Sequence, residues 1–336
     1  MSHSGGCAGW PPSRQWPEVP DGGAPEPWAP VDSEPSSRSD DGREPSPIPV
    51  GIEGLLERCT FPVAGTDVVC AVSGGCDSTA LLVLAVASGL QATAVHVDHA
   101  LREGSAEEAA VVARTAERLG AGFRAVSAPV EPGPGLEARA RSARHAALGP
   151  VALFGHTADD QAETVLLRLI RGTGPWGMAA MRPDRHPLLR IRRSETRDLC
   201  VRLGLETVDD VTNESPVHTR NRIRHEVLPL LDDVARRDVV PLLCRFAEQS
   251  SAQADLLEDL SGGIDPTDAD ALAAAPEPLA VAALRRWWMG ETGSLPPDAA
   301  AFERMLGVAR GAAVGCDVSG RWHLRRSGGR LSLGRG

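Results

Sequence analysis

Short apolar runs alternate with longer amphipathic runs from about residue 50 onward. The apolar runs predict strands at Val68–Val72, Thr93–Val97, Arg124–Ser127 and Val151–Phe154. The amphipathic runs predict helices at 78–88, 105–119, 136–148 and 159–170. This alternation predicts an α/β fold with a doubly wound, mostly parallel sheet. Because ligands of such sheets bind beyond the carboxyl ends of the strands, the residues that follow each strand are the candidates for a functional site.

The chain divides into three predicted parts. Residues 1–48 hold ten of the 27 prolines among Gly, Ser and acidic residues, and we expect a disordered tail there because little apolar surface offsets the entropy of ordering. We expect a nucleotide-binding catalytic domain over 49–231. A smaller, mainly helical domain is expected over 232–336, with helical patterns at 221–260, 276–290 and 297–310 and short strands in 313–333. The pair Trp287-Trp288 is predicted to lie in its core.

All 35 basic residues other than histidine are arginines, and the chain has neither Lys nor Tyr. Schiff-base chemistry on a protein lysine and phosphate binding by a P-loop lysine are therefore excluded. Any phosphate must be bound by Arg, backbone N–H groups, helix N-termini or metal ions.

The net charge of -10 argues against a general nucleic-acid coat, but it is unevenly distributed. Residues 165–224 contain twelve Arg against seven acids. This basic stretch predicts contacts with RNA phosphates, and a solvated charged face is the alternative. The seven cysteines form no CxxC pair, which is typical of reduced thiols in a cytoplasmic protein. We expect no membrane span and no signal peptide, because no long apolar run is present.

A glycine-rich turn follows the first predicted strand: Ser73, Gly74, Gly75, Cys76, Asp77 and Ser78. Adjacent glycines let the main chain approach a ligand, and the helix start behind them offers free N–H groups to an anion. A carboxylate about 4 Å from a phosphate charge costs about 4 kcal/mol at an effective dielectric of about 20. Asp77 therefore implies a cation between the two groups, and Mg²⁺ is the candidate.

Polar residues also follow the second and fourth strands. His96 and Asp98 share one face of the second strand, and a hydrogen-bonded crossover beside the nucleotide is favoured there over a metal site with His99. After the fourth strand come four candidate residues for acid–base, amine or metal chemistry: His156, Asp159, Asp160 and Glu163. The alternative is that acids in the first turn of a helix simply complement its dipole.

The loop resembles the PP-loop ATP pyrophosphatase superfamily. Further motifs narrow the resemblance to tRNA(Ile)-lysidine synthetases over roughly residues 65–231: HVDHALR at 96–102, GHTADDQAET at 155–164, LIRGTG at 169–174, HPLLR at 186–190, DVTN at 210–213 and TRNRIR at 219–224. It is weak over 232–336.

The resemblance implies a reaction. ATP adenylates the wobble cytidine of the isoleucine tRNA with a CAU anticodon at carbon 2, and free L-lysine then displaces AMP. It implies pyrophosphate binding on residues 73–78, with Mg²⁺ at Asp77. From the residues themselves we expect His96 and Asp98 beside the nucleotide. Our hypothesis is that Asp159 or Asp160 has the metal or lysine contact, with Asp159 as the second candidate Mg²⁺ ligand and Glu163 supporting. The catalytic candidates are Asp77, His156, Asp159, Asp160 and Glu163, whose individual roles stay open. Predicted tRNA contacts are Arg171, Arg220, Asn221, Arg222 and Arg224, with further contacts in the C-terminal domain. A homodimer is left open.

Two other functions are compatible with parts of the sequence. Another PP-loop tRNA enzyme, which thiolates cytidine, would carry CxxC pairs for an iron–sulfur cluster. A non-catalytic nucleotide-binding protein has little use for carboxylates near phosphates. Synthetases of GMP, NAD or asparagine share the loop, but are not expected to share the acidic and arginine-rich motifs.

Overall fold

The computed structural model describes residues 51–98, 105–129, 139, 143, 146–208 and 219–335. The predicted tail, most of the predicted helix at 136–148, His99 and the DVTN motif at 210–213 lie outside the described residues.

A four-stranded parallel sheet forms the first part of the described chain. Its strands are β1 (Asp67–Ala71), β2 (Gln91–Asp98), β3 (Gly122–Ser127) and β4 (Leu153–Phe154), in the order β3-β2-β1-β4. The predicted parallel sheet is confirmed. The chain runs from β1 outward to β3 and then returns to place β4 on the other side of β1. The carboxyl ends of β1 and β4 therefore flank the point where the strand order reverses, which is where sheets of this class bind ligands.

Helices pack against this sheet because its central strands β1 and β2 have buried apolar residues on both faces. The first helices are α1 (Glu53–Leu56), α2 (Cys76–Ala87) and α3 (Ser105–Leu119). Cys70 and Ala94 pack with α2 and α3 on one face, whereas Val95 and Phe154 pack with Leu148 on the other. Residues 79–85 of α2 are all buried, which explains its almost wholly apolar sequence.

Six α-helices and one π-helix are described between β4 and the C-terminal part of the chain. The first four are α4 (Ala158–Ile170), α5 (Pro175–Met178), α6 (Arg193–Arg202) and α7 (Thr219–Arg222), and α7 continues directly into a π-helix, Ile223–Val227. Then come α8 (Leu228–Ala235) and α9 (Val240–Leu260).

Residues 221–260 are helical as predicted, but they form several helices and not one continuous helix. Arg236 adopts a left-handed conformation with φ of 53° and ends α8. Pro229 and Pro241 each lie in the first turn of a new helix, the place where a residue without an N–H is tolerated.

The C-terminal part contains α10 (Ala269–Ala274), α11 (Glu277–Thr292), α12 (Ala299–Ala309) and an antiparallel sheet of β5 (Gly315–Asp317), β6 (Trp322–Ser327) and β7 (Arg330–Arg335). Trp288 is 2% exposed at the centre of a cluster with Leu284, Met305 and Leu324, and Trp287 packs against that cluster. The prediction that both tryptophans belong to the core of this part is confirmed. Among the described residues, no helix has the length and apolarity needed to cross a bilayer.

Gly155, directly after β4, lies against the backbone of the glycine-rich turn. A Cβ at this position would be 2.6 Å from the carbonyl oxygen of Asp77 and 2.9 Å from Cα of Ser78. Both neighbours are backbone, so neither can rotate away. The absence of a side chain at Gly155 is what lets the β4 end and the turn after β1 meet.

We expect Gly155→Ala to lower the free energy of unfolding by about 1–3 kcal/mol, because the added methyl group overlaps with fixed main chain. The control is Gly290→Ala in α11, where an added Cβ meets nothing within 4 Å. It should stabilise the protein by about 0.5–1 kcal/mol through helix propensity. Urea unfolding measures both variants, and an unchanged midpoint for Gly155→Ala would contradict the packing argument.

Candidate active site

The loop after β1 has the backbone that its glycines predicted. Gly74 has φ of 93°, a conformation that favours glycine, and its carbonyl oxygen accepts a hydrogen bond from the N–H of Val208 at 3.0 Å. A Cβ on Gly74 would also come within 3.0 Å of the Val208 side chain. A larger residue here would strain the turn and push it away from Val208.

Hydroxyl groups close the same loop. Ser78 Oγ accepts from the N–H of Ser73 at 3.1 Å, lies 3.2 Å from Ser73 Oγ and donates to the carbonyl of Gly75 at 2.9 Å. Gly75 is the N-cap of α2 and has no side chain with which to satisfy the first N–H groups of the helix. Such a helix start suits an anion.

Asp77 faces the beginning of α6. Its Oδ1 accepts a short hydrogen bond from the Thr196 hydroxyl, and its Oδ2 accepts from Nε of Arg193 at 3.3 Å. Burial raises the pKa of Asp77 above its usual value, and the hydrogen bond from Thr196 opposes that shift. A cation placed beside this carboxyl would favour its charged form.

Asp159 and Asp160 begin α4 but have different partners. Both oxygens of Asp159 are taken by Arg192, with a closest contact of 2.9 Å from Nη2, and Oδ2 also accepts from the backbone N–H of Arg193 at 2.8 Å. Burial would raise the pKa of Asp159, yet these bonds from Arg192 and Arg193 lower it overall.

Asp160 accepts hydrogen bonds both from Thr157 at the start of its own helix and from arginines of other helices. Its Oδ2 accepts from the N–H and the hydroxyl of Thr157 at 2.9 and 3.0 Å, which closes a capping box at the start of α4. Its Oδ1 accepts from Nη2 of Arg193 at 2.7 Å and Nη2 of Arg220 at 3.0 Å. Burial opposes ionisation, but the charges of Arg193 and Arg220 lower the pKa of Asp160 to about 2.

Glu163 lies one turn further along α4, and its side chain is 0% exposed. Its carboxylate accepts from Nε of Arg220 at 2.6 Å, from Nε and Nη2 of Arg224 at 2.7 and 3.2 Å, and from Nη1 of Arg193 at 3.3 Å. A charge buried to this degree requires several partners, and three arginines provide them here.

Arg193 connects the glycine-rich loop with the acids of α4. Its one guanidinium contacts Asp77, Asp160 and Glu163. The sequence interpretation missed Arg193, Arg192 and Thr196. Arg192 and Arg193 follow the HPLLR motif by two and three residues, and a cluster of arginines at a helix start, where the dipole disfavours cations, is the signal that could have revealed them.

Two histidines meet at the carboxyl end of β4. Nδ1 of His156 lies 3.0 Å from Nδ1 of His186, a hydrogen bond in which one ring donates its N–H to the other. A protonated His156 also lowers the pKa of Asp160, which places this ring beside the acids. His186 lies in a motif that the sequence interpretation quoted, but no role was predicted for it.

His96 and Asp98 lie at the carboxyl end of β2. His96 is 3% exposed, and its Nδ1 lies 3.0 Å from the carbonyl oxygen of Val72, the residue after β1. This contact ties the end of β2 to the start of the glycine-rich loop. No group of three or more His, Cys, Asp or Glu side chains with metal-binding geometry is found in the part of the chain that the structure describes.

The predicted tRNA contacts fall into two groups. Arg220 and Arg224 point at Asp160 and Glu163, as described above. Arg222 faces away and pairs with Glu226 at 2.9 Å on an exposed surface, and Arg171 is exposed at the end of α4. Asn221 is 8% exposed between the two groups. The roles assigned to these five residues stay predictions.

A cleft of about 160 Å³ lies beside Asp159 and Glu163. Its lining also includes Arg192, Arg193 and Arg224, together with residues of α8 and α9.

Replacing the buried carboxylate of Glu163 tests how much its ion pairs with the arginines contribute to stability. We expect Glu163→Gln to lower the free energy of unfolding by about 3–5 kcal/mol, because it leaves three guanidinium groups around a neutral side chain. The matched control is Glu226→Gln, which breaks the exposed pair with Arg222 and should leave the unfolding midpoint unchanged. Equal midpoints for Glu163→Gln and the wild type, measured in urea, would show that the cluster contributes nothing to stability.

Comparison with known proteins agrees with this geometry. Residues 52–231 match the PP-loop domain family, and residues 268–332 match the family described as the TilS substrate binding domain. The tRNA(Ile)-lysidine synthase of Nocardia farcinica (strain IFM 10152) is 41% identical over 299 residues, which cover 82% of this chain and 94% of that protein. The enzyme of the same name from Mycobacterium leprae (strain TN) is 39% identical over 308 residues, covering 81% and 93%.

Among solved structures, a U34-tRNA thiolase from Methanococcus maripaludis is similar over 55% of this chain and 72% of that chain, with 17% identity and a TM-score of 0.46, a likeness too weak to carry an argument. The sequence matches to the two tRNA(Ile)-lysidine synthases are much stronger, because they cover most of both chains. They confirm the resemblance seen in the motifs. The chain belongs to the tRNA(Ile)-lysidine synthase family.

Proposed function

We propose that this protein joins L-lysine to carbon 2 of the wobble cytidine in the CAU-anticodon isoleucine tRNA, with ATP converted to AMP and pyrophosphate. Family membership supports an ATP-dependent modification of tRNA. The observation that carries the proposal is the position of Arg193. Because one guanidinium contacts Asp77 of the loop and both Asp160 and Glu163 of α4, the phosphate end and the acidic end belong to one site.

The loop serves the nucleotide in this proposal. The N-terminus of α2 and the main chain at Gly74 and Gly75 would bind the pyrophosphate portion of ATP. Asp77 fits Mg²⁺, since a carboxylate oxygen is a ligand that this ion prefers, and the ion when bound neutralises phosphate charge beside it. Asp159 fits less well, because each of its oxygens already accepts two hydrogen bonds from Arg192 and Arg193, whereas each oxygen of Asp77 accepts one. We therefore assign the metal contact to Asp77 first.

The acids serve the lysine amine. Free lysine has a pKa of about 10.4, so about one molecule in a few thousand is neutral at pH 7 and attack requires loss of a proton. With its pKa lowered to about 2, Asp160 is suited to holding the ammonium group and poorly suited to accepting its proton. The imidazole of His156, which lies beside Asp160 and is held by His186, is the better proton acceptor. Glu163 completes the negative surroundings.

The alternatives fit less well. A cytidine-thiolating enzyme would carry CxxC pairs, and the sequence contains none. A nucleotide sensor would have no use for the acids that share Arg193 with the loop. A cytoplasmic location and a homodimer stay predictions.

The function is tested by incubating the protein with Mg-ATP, labelled lysine and the isoleucine tRNA transcript, while pyrophosphate, AMP and label on RNA are followed. Label on the tRNA supports the proposal. Pyrophosphate release with label-free RNA would contradict it in favour of another acceptor. ATP binding without turnover would contradict it in favour of a sensor.

Two carboxylate variants should separate the two halves of the reaction. Asp77→Asn should lower both pyrophosphate release and lysine incorporation by about 10²-fold or more, because it acts on the nucleotide. Asp160→Asn should lower lysine incorporation by a similar factor while adenylation, measured as pyrophosphate release before lysine is added, persists. The control Asp233→Asn, at an exposed pair with Arg236, should match the wild type. Unchanged lysine incorporation by Asp160→Asn would remove Asp160 from the amine site.

A further inference from the structure

The two carboxylates that face the amine in the proposed function are already saturated with donors. Glu163 accepts four hydrogen bonds from Arg193, Arg220 and Arg224. Asp160 accepts two from Thr157 on one oxygen, and one each from Arg193 and Arg220 on the other. Since a carboxylate offers about four acceptor positions, neither group has one left for an incoming ammonium.

The charges around Asp160 and Glu163 leave no negative excess for a further cation. Three guanidinium groups, those of Arg193, Arg220 and Arg224, face these two carboxylates. A cation that entered between the two acids would therefore gain little Coulomb energy unless an arginine left.

Arg220 occupies the position that an ammonium group would need. Its Nε donates to Glu163 at 2.6 Å and its Nη2 donates to Asp160 at 3.0 Å, so its positive charge bridges the two acids. An ε-ammonium, with three donors on one nitrogen, could form the same bridge. In charge and in hydrogen bonding, the Arg220 side chain stands in for the substrate amine.

Resting on the proposed function, we propose that Arg220 is a displaceable counter-cation of the lysine site. Lysine binds between Asp160 and Glu163 when Arg220 turns outward to a phosphate of the bound tRNA. The predicted tRNA contact of Arg220 and its observed ion pairs are then two alternative positions of one side chain.

Arg220 is better placed to move than Arg193. Arg193 is 23% exposed and holds three carboxylates, and its backbone N–H anchors Asp159. Arg220 is 35% exposed, and both of its ion pairs are with the two acids that the amine needs. It lies in the four-residue helix α7, which runs into a π-helix, a geometry that is rare and often found at functional sites.

Displacement of Arg220 predicts that tRNA and lysine each strengthen the binding of the other. If tRNA phosphate attracts Arg220 away from the acids, tRNA must tighten lysine binding, and lysine must tighten tRNA binding by the same factor. Arg–phosphate pairs are strong enough to compete with the ion pairs that are lost, since both are charge-assisted. Free lysine would therefore bind chiefly to enzyme that already has tRNA bound.

The test measures the Kd of L-lysine by equilibrium dialysis with labelled lysine, on the full chain, with and without the isoleucine tRNA transcript. For the wild type, tRNA should lower the Kd by about tenfold or more. In Arg220→Met, lysine should bind about tenfold more tightly than to the wild type without tRNA, and added tRNA should change its Kd little. The control Arg310→Met, which removes an exposed pair with Glu277, should bind lysine as the wild type does.

A lysine Kd in Arg220→Met equal to or weaker than that of the wild type, without tRNA, would overturn the displacement. If Arg220→Met unfolds, Arg220→Lys retains the cation with fewer donors and should show an intermediate Kd; equality with the wild type overturns the proposal there too. Lysine incorporation by the wild type is measured in parallel. Incorporation with no effect of Arg220 on the lysine Kd refutes the displacement alone, whereas a wild type that incorporates no lysine refutes the proposed function.

Discussion

The ion pairs around Glu163 and Arg193 are the interaction on which the site depends. Glu163 has no exposed surface, and burying a carboxylate is costly unless partners such as Arg193, Arg220 and Arg224 surround it. These arginines come from α6, α7 and the π-helix, so the same contacts that stabilise the charge also fix these segments against α4. Arg193 then extends the network to Asp77, and the nucleotide loop is held in register with the acids.

The fold provides the place for this network. Strand order reverses between β1 and β4, and the two loops at that reversal are the glycine-rich turn and the segment that begins at Gly155. Their backbones approach so closely that Gly155 tolerates no Cβ. The geometry thus brings a site for an anion, at the start of α2, beside a group of carboxylates that suits a cation. A reaction between a phosphate ester and an amine requires both.

Much of this arrangement follows from local sequence. The strands and the helices α2, α3 and α4 were predicted within one or two residues because apolar periodicity decides them, and the glycine-rich turn was predicted because few other residues permit its backbone. The partners of the arginines were not predictable in this way. Arg193 and Asp77 are 116 positions apart, and Arg220 and Glu163 are 57 apart, so their pairing depends on tertiary packing. The π-helix likewise has no local signal that distinguishes it from an α-helix.

The most direct measurement of the central claim is a crystal structure of the protein with the isoleucine tRNA, a non-hydrolysable ATP analogue and L-lysine. The account predicts phosphates of the nucleotide on residues 73–78 and the lysine ε-nitrogen within hydrogen-bonding distance of Asp160 or Glu163. Lysine bound away from both acids, or a nucleotide whose phosphates do not contact the loop, would contradict it.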